Sequence, residues 1–401
     1  MNKTVILLLL TFSFYCWVLP AQTDKVMLIE SPAGSQSGQP FLSSIGERVY
    51  LSWQESLPDG GHTLRFSIWD GKHWMPSKTI MSEVPFFVNW ADFPSMLPMS
   101  DGSLVAHWLA KSGENPYAYD VWISVSKDGG NLWSRPLKPH RDQTKTEHGF
   151  VSLVDRGHGQ FSAIWLDGRN FKPRKHLDQG EENEMSLMFT SFRNNSFELE
   201  QPLDLRVCDC CQTSMAATTN GLFVVYRDRS PSEVRDISYV RFFEGEWTKP
   251  RTLHVDGWKI NACPVNGPAV SAYGSNVVVA WYTHLNRKGS VRATFSQDEG
   301  STFGPMMEVD DGDALGRVDV EWHQDGSALV VWLKRGRGRD GTLVARRVRS
   351  NGSMNAPFVV AHTKSSRTSG FPRMTRSGDS IFVAWTEPKI ISRVRVAQIT
   401  R

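Results

Sequence analysis

One phrase recurs seven times along the chain: a run of β-branched and apolar residues closed by an aromatic. The copies are Val49–Trp53, Leu104–Trp108, Phe161–Trp165, Leu222–Tyr226, Val277–Trp281, Ala328–Trp332 and Ile381–Trp385. The closing aromatics stand about 51 to 61 residues apart, a period that belongs to stacked or radial repeat architectures. Each copy continues alike, with a polar stretch, a second alternating strand such as Leu64–Trp69 or Val121–Ser126, and a turn rich in Gly, Asp and Asn. Turns such as Asp128-Gly129-Gly130 and Asn351-Gly352 tolerate positive φ and join antiparallel strands. No amphipathic helix interrupts the pattern. Four short strands per repeat of about 54 residues is the signature of a propeller blade.

The expected fold is therefore an all-β propeller of four-stranded antiparallel blades. Seven blades are expected, with six as the alternative if one copy is absorbed elsewhere. The last copy reaches Arg401 soon after its third strand, Arg393–Ile399, and lacks a fourth. Lys25–Glu30 is a short β-like run ahead of the first blade. It is expected to supply the missing outer strand, because a closed ring leaves no strand edge exposed. A length of 401 residues alone suggests two or three domains, but the repeat places 22–401 in one. Residues 1–21 read as a signal peptide: Lys3, then the apolar run Val5–Leu19, then Leu19-Pro20-Ala21. A retained anchor is the alternative. A signal peptide predicts export to the periplasm or the exterior. No later segment is apolar enough for a membrane-spanning helix. The net charge of +3 gives no reason to expect a nucleic-acid partner.

Two turns carry a more specific pattern. Ser126-Lys127-Asp128-Gly129-Gly130-Asn131-Leu132-Trp133 and Ser296-Gln297-Asp298-Glu299-Gly300-Ser301-Thr302-Phe303 resemble the Asp-box, Ser-x-Asp-x-Gly-x-Thr-Trp, of the sialidase superfamily of BNR-repeat propellers. The stretch Asp70-Gly71-Lys72-His73-Trp74 is a degenerate third copy. The resemblance places the boxes between the third and fourth strands of a blade, away from the active centre. Ser126, Asp128, Gly130, Trp133, Ser296, Asp298, Gly300 and Phe303 are accordingly structural. It also implies an acidic carbohydrate or glycoconjugate as partner, an Arg triad on its carboxylate, an Asp acid, and a Tyr nucleophile paired with Glu. The family's early Phe/Tyr-Arg-Ile-Pro motif is absent; the region reads Gly38-Gln39-Pro40-Phe41-Leu42.

If the third-to-fourth-strand turns occupy one face, alternation sends two loop classes to the other: those after each aromatic strand and those leading into each next blade. The leading segments carry Asp92, Glu147, His148, Cys208, Cys210, Cys211, Cys263, Asn266, Arg317 and Arg373. The post-aromatic loops add Asp167, Arg169, Arg227, Asp228, Arg229 and His284. Arginine forks bind carboxylates, sulfates and phosphates, and neighbouring carboxylates supply acid–base chemistry. The catalytic candidates are Asp92, Glu147, His148, Arg227, Asp228, Arg317 and Arg373. Each Arg–Asp pair has a plainer reading as glue between blades. Tyr226 stands where other copies have Trp, as a nucleophile or as a simple aromatic replacement. The basic run Lys334–Arg339 is a solvated loop or a contact for an anionic polysaccharide.

Cys208, Cys210, Cys211 and Cys263 are an even set in a chain expected to be exported, which favours disulfides: one linking Cys263 to the cluster and one within it. The alternatives are a thiolate site for Zn²⁺ or Cu(I) with His148 nearby, and a redox pair. No other cofactor is expected. Three functions follow: a propeller that cleaves acidic glycans, one that binds a glycan or protein without turnover, and one that works through metal or redox chemistry.

Overall fold

The computed structural model of the protein describes residues 23–171 and 184–401; the expected signal segment 1–21 lies outside the described residues. Seven sheets follow one another along the chain. Their innermost strands begin at Ser37, Ser95, His148, Ser214, Ala269, Ala314 and Arg373, for blades 1 to 7. Each sheet is an antiparallel meander. In blade 6 its strands are Ala314–Trp322, Ser327–Arg335, Asp340–Arg349 and Phe358–Lys364. The outer strand of blade 2 is reduced to a bridge between Leu137 and Ile123. The seven-blade expectation holds, and the six-blade alternative does not.

The repeated aromatic explains why seven separate sheets make one body. The buried apolar residues form seven clusters, one at each junction between successive blades. In a strand, alternate side chains point to opposite faces, so each aromatic strand feeds two junctions. In blade 2, Ala106 and Trp108 pack toward blade 1, whereas Val105 and Leu109 pack toward blade 3. The closing aromatic faces the preceding blade in every copy, from Trp108 against blade 1 to Trp53 against blade 7. Tyr226 fills the same wedge between blades 3 and 4, and its hydroxyl donates to Asp204 Oδ2 at 2.6 Å. It is a wedge in a polar setting, near Asp204 and Asp228.

The ring closes as expected. Lys25–Ile29 pairs antiparallel with Arg393–Thr400 and becomes the outer strand of blade 7. Just ahead of it, Asp24 grips the buried Arg347 of blade 6 at 2.5 Å, and Arg347 also donates to Ser327 Oγ. The turns at Asp128 and Asp298 are held locally. Asp128 Oδ1 accepts the N–H groups of Asn131 and Leu132, and Asp298 Oδ1 that of Thr302. Gly130 has φ 82°, and a Cβ there would come within 2.3 Å of Phe66 of the preceding blade. On this face Glu299 also accepts from Thr218 and Asn220 of blade 4.

Removing one member of a buried ion pair strands the other charge at a cost of about 3–5 kcal/mol. Asp24→Ala should therefore lower the unfolding free energy by about that amount, read from urea denaturation. A change below about 1 kcal/mol would show that closure rests on the strand pairing alone.

Candidate functional site

The leading segments converge on the face opposite the Asp128 and Asp298 turns, and they close the channel mouth. The segment Asn89–Phe93 of blade 2 reaches across it. The Ala91 carbonyl accepts from Gln212 Nε2 of the blade 4 segment at 2.6 Å. Trp90 stacks on Phe371 of the blade 7 segment, with ring centroids 5.8 Å apart, and lies under Arg317 of the blade 6 segment at 4.9 Å. Gln212 in turn accepts from Gly267 N, and Asn266 Oδ1 accepts from Arg317 N. Beneath this lid the channel retains about 130 Å³, lined by Phe41, Asp92, Phe93, Gln212, Thr213 and Arg373 among others. That is well short of the ~300 Å³ or more of ordinary ligand pockets.

Asp92 and Glu147 meet through a residue that the sequence did not single out. The Tyr119 hydroxyl lies 2.8 Å from Asp92 Oδ2 and 2.9 Å from Glu147 Oε1. Asp92 also accepts the Phe150 N–H at 2.8 Å. Burial pushes the Asp92 carboxyl up to about 7, against the opposing hydrogen bonds from Phe150 and Tyr119. Burial pushes Glu147 up to about 8, with Tyr119 opposing and the charges of Asp92, Asp209 and Cys263 adding to the rise. Gly149 is required here, because a Cβ would lie 1.9 Å from Asp92 Oδ2.

The arginines do not gather into a fork. Arg227 is buried and spent on backbone: its guanidinium donates to the carbonyls of Asn266, Arg235 and Tyr282 and lies 4.8 Å from the Trp258 ring. Asp228 accepts from Arg229 N and Ser238 Oγ; burial, with Asp204 nearby, raises its carboxyl. Arg373 stands 3.4 Å from Asp319 and packs over Phe41 and Phe93. Arg317 donates to the carbonyls of Ser366 and Gly370. Burial and the nearby Arg367 charge lower it to about 10. Among the described residues no carboxylate lies within ion-pair distance of Arg317 or Arg367, which both pack over Trp90.

The four cysteines do converge, but none is bonded to another. Cys208, Cys210 and Cys211 come from the segment leading into blade 4, and Cys263 from that leading into blade 5. Cys208 Sγ lies 3.2 Å from Cys211 Sγ and 3.8 Å from Cys210 Sγ. Cys210 is also grouped with Cys263 and Asp209, ligand atoms within 4.8 Å of one another. The expected pair of disulfides is therefore replaced by free thiols at contact distance, since a disulfide needs about 2.05 Å. Arg235 is buried behind them. Its Nη2 donates to Glu233, while Nε and Nη1 have no hydrogen-bond partner. Burial opposes ionisation of Cys208, yet hydrogen bonds from Cys210 and Cys211 and the Arg235 charge bring its thiol well below the usual range.

His148 is not among the ligand atoms grouped with the sulfurs. It lies in a separate polar cluster between blades 2 and 3, with Asp120, His140, Asp142, Asp167 and Arg169. Asp120, His140 and Asp142 escaped the sequence reading, as did Tyr119 and Arg235. The available signal was Lys138-Pro139-His140-Arg141-Asp142 just ahead of Glu147-His148, two His and two acids in one leading segment.

Neither a protein-family model nor a curated protein sequence matches the chain. Solved structures do match, and they share the sialidase-like propeller fold. A protein of unknown function from Dyadobacter fermentans is 13% identical, with 94% of this chain and 97% of that one covered and a TM-score of 0.51. The endosialidase of phage phi92 is 10% identical, with 94% and 69% covered and a TM-score of 0.50. A sialidase from Streptococcus pneumoniae is 12% identical, with 94% of each chain covered and a TM-score of 0.49. At such identities the likeness speaks for the fold alone.

The raised carboxyls carry a signature. Asp92 and Glu147 hold protons in the folded protein that the unfolded chain, with carboxyls near about 4, has released. Between about pH 4 and 8 the folded state binds more protons, so this pair loses stabilising effect as pH rises. Asp142, whose carboxyl is held low, is ionised in both states across this window and contributes in the opposite sense only below about pH 4. The readout is therefore the difference between proteins. Asp92→Asn should gain in urea midpoint relative to the parent as pH goes from 5.5 to 8. Parallel profiles would show that Asp92 is ionised throughout.

Proposed function

We propose that this protein is an exported propeller that holds a soft metal ion, Cu(I) or Zn²⁺, on the thiolates of Cys208, Cys210, Cys211 and Cys263. The observation that carries this reading is the gathering of four unbonded sulfurs from two blades in two groups that share Cys210, one of Cys208, Cys210 and Cys211 and one of Asp209, Cys210 and Cys263, beside the buried Arg235, whose Nη1 lies 3.9 Å from Asp209. Thiolates are the ligands that select Cu(I) and Zn²⁺. In a tetrahedral Zn²⁺ site with bonds near 2.3 Å, neighbouring sulfurs stand about 3.8 Å apart. The Cys208–Cys210 separation of 3.8 Å suits that edge. Arg235 helps to bring the Cys208 thiol down, whereas burial and Cys208 push the Cys211 thiol up with Arg227 opposing. Cys210 bridges the group from blade 4 to Cys263. Export rests on the Lys3 and Val5–Leu19 pattern, and free thiols outside the cytoplasm persist best when a metal occupies them.

A second reading, binding or cleavage of acidic glycans, is favoured by one observation. Arg317 and Arg367 over Trp90 lack any carboxylate partner, and Asp92 with Glu147 offers protonated acid nearby. Because the channel is lidded, such a ligand would lie above Trp90 and not within the bore. If this reading holds, Arg317→Ala abolishes retention on arrays of acidic glycans. Loss of neither binding nor turnover of fluorogenic sialosides in Arg317→Ala and Arg373→Ala removes it.

The metal reading is tested on the purified full chain by thiol counting and elemental analysis. Four thiols and one Zn or Cu per chain are expected, with thiols that react only after chelation or unfolding. Cys210→Ser should weaken binding by more than about 100-fold, beyond the effect of losing an outer-shell partner. Two disulfides and no metal would overturn the proposal. A single Cys208–Cys211 disulfide that forms and reduces reversibly would replace it with a redox pair.

A further inference from the structure

A second donor set lies apart from the thiols, at the junction of blades 2 and 3. Asp120 is on the third strand of blade 2, Tyr119–Ser126, and His148 opens the inner strand of blade 3, His148–Gly157. His140 comes from the segment between them. The two imidazoles are buried and stacked, with centroids 4.0 Å apart and planes 5° from parallel.

The rings share both edges. On one, Asp142 faces His140 Nδ1 at 3.1 Å and His148 Nε2 at 3.2 Å, one oxygen to each. Asp142 Oδ2 also accepts from the Thr144 N–H and hydroxyl. As a carboxylate Asp142 accepts, so both rings donate there. The opposite edge then presents His140 Nε2 and His148 Nδ1, each 3.8 Å from Asp120 Oδ1. His140 Nε2 has no hydrogen-bond partner although it is buried. Lys138 takes the other Asp120 oxygen at 2.5 Å and leaves Oδ1 to the rings.

Two ring nitrogens and a carboxylate oxygen thus lie within 4.8 Å of one another. A proton on His148 Nδ1 would serve the Tyr119 carbonyl, 3.2 Å away. It would still leave His140 Nε2 facing Asp120 across a gap. A cation between the three donors satisfies all of them. Tetrahedral donors about 2.0–2.1 Å from Zn²⁺ stand about 3.3 Å apart, so the contacts to Asp120 must close by a few tenths of an ångström on each side, and the two rings, now 5° from parallel, must tilt toward each other to aim both nitrogens at one ion. Asp142 then has the usual outer role, a carboxylate that takes the second N–H of a metal-bound histidine and fixes its orientation.

We infer that Asp120, His140 and His148 hold a divalent transition-metal ion, Zn²⁺ by donor type, at a site separate from the cysteine cluster. Imidazole with carboxylate suits Zn²⁺ and its first-row neighbours, whereas Cu(I) prefers the sulfurs. The site does not depend on the thiolate reading, since it shares no ligand with it. Its buried ligands suit a structural clamp between blades 2 and 3.

The test uses full-length protein stripped with a chelator, its thiols alkylated to silence the cysteines. Zn²⁺ is then added, and bound metal is measured by equilibrium dialysis alongside thermal unfolding. The expected result is one equivalent bound and a melting temperature that rises with Zn²⁺ concentration, as binding to the native state alone requires. His140→Phe keeps a stacked ring but removes the nitrogen, and should weaken binding by more than about 100-fold. Asp120→Asn should do the same. Unmodified His140→Phe protein should bind one Zn²⁺ fewer than unmodified parent, which covers the case in which alkylation disturbs folding. Equal binding by parent and both variants overturns the inference, as does a stacked pair that takes up protons but no metal. Loss of metal in Cys210→Ser with the His140-dependent equivalent retained would separate this site from the thiolate one.

Discussion

Everything in this molecule depends on the wedge between blades. A single four-stranded blade has two apolar faces and no core of its own; its strands are buried only because a neighbour covers each side. The seven junction clusters are therefore one cooperative assembly, and each closing aromatic supplies its junction with a large buried side chain. Truncating such a residue costs about 3–5 kcal/mol in well-packed cores. Closure by Lys25–Ile29 matters for the same reason. Without it, blade 7 would end in an open edge and the junction of blades 6 and 7 would lose the cover that Val26 gives it.

That rigid ring allows one face to carry polar groups that a softer fold would expel. Asp92, Asp120, Asp167, His148, Arg227 and Arg235 are all buried there. Burying a charge without a partner is costly, and the structure meets the cost in three ways. Arg227 is absorbed by three carbonyls, tying blades 4 and 5 together. Asp92 and Glu147 share the hydroxyl of Tyr119 and keep protons. The remaining sets, thiols beside Arg235 and imidazoles facing Asp120, have donors whose needs the protein's own groups leave unmet. The two sets differ in softness and lie on either side of Glu147: its carboxylate feels the charges of Asp209 and Cys263, and its chain neighbour is His148.

The ring and its closing strand were legible because both are written as periodic hydrophobicity, which depends on chain-local alternation. Gathering of the cysteines was legible for a related reason: once a repeat assigns loops to faces, leading segments of adjacent blades must be neighbours. The state of those sulfurs was not legible, because spacing along the chain does not set the distance between Sγ atoms across two loops. Arg227 shows a second limit. Its sequence context, Arg227-Asp228-Arg229, invites an ion pair, yet the guanidinium turns to carbonyls of three segments that no motif connects. Tyr119, Asp120 and His140 were missed because they lie at a strand start and in a segment between blades, where a polar residue ordinarily faces water. Only the packing of blade 2 against blade 3 turns them inward.

The propeller fold is shared with sialidases, while the residues at this mouth are the chain's own. A glycan bound inside the bore would need arginines free to meet its carboxylate there. Here Trp90 and Phe371 lie over the bore, Gln212 ties Ala91 to blade 4, and Arg227 is buried with all three of its nitrogens donating to backbone carbonyls. A propeller positions its mouth loops but leaves their content open. In this one the inward content is sulfur, imidazole and proton-holding carboxyl. Those groups select a ligand by softness and coordination geometry, whereas Arg317 and Arg367 over Trp90 present cationic charge with no carboxylate partner among the described residues.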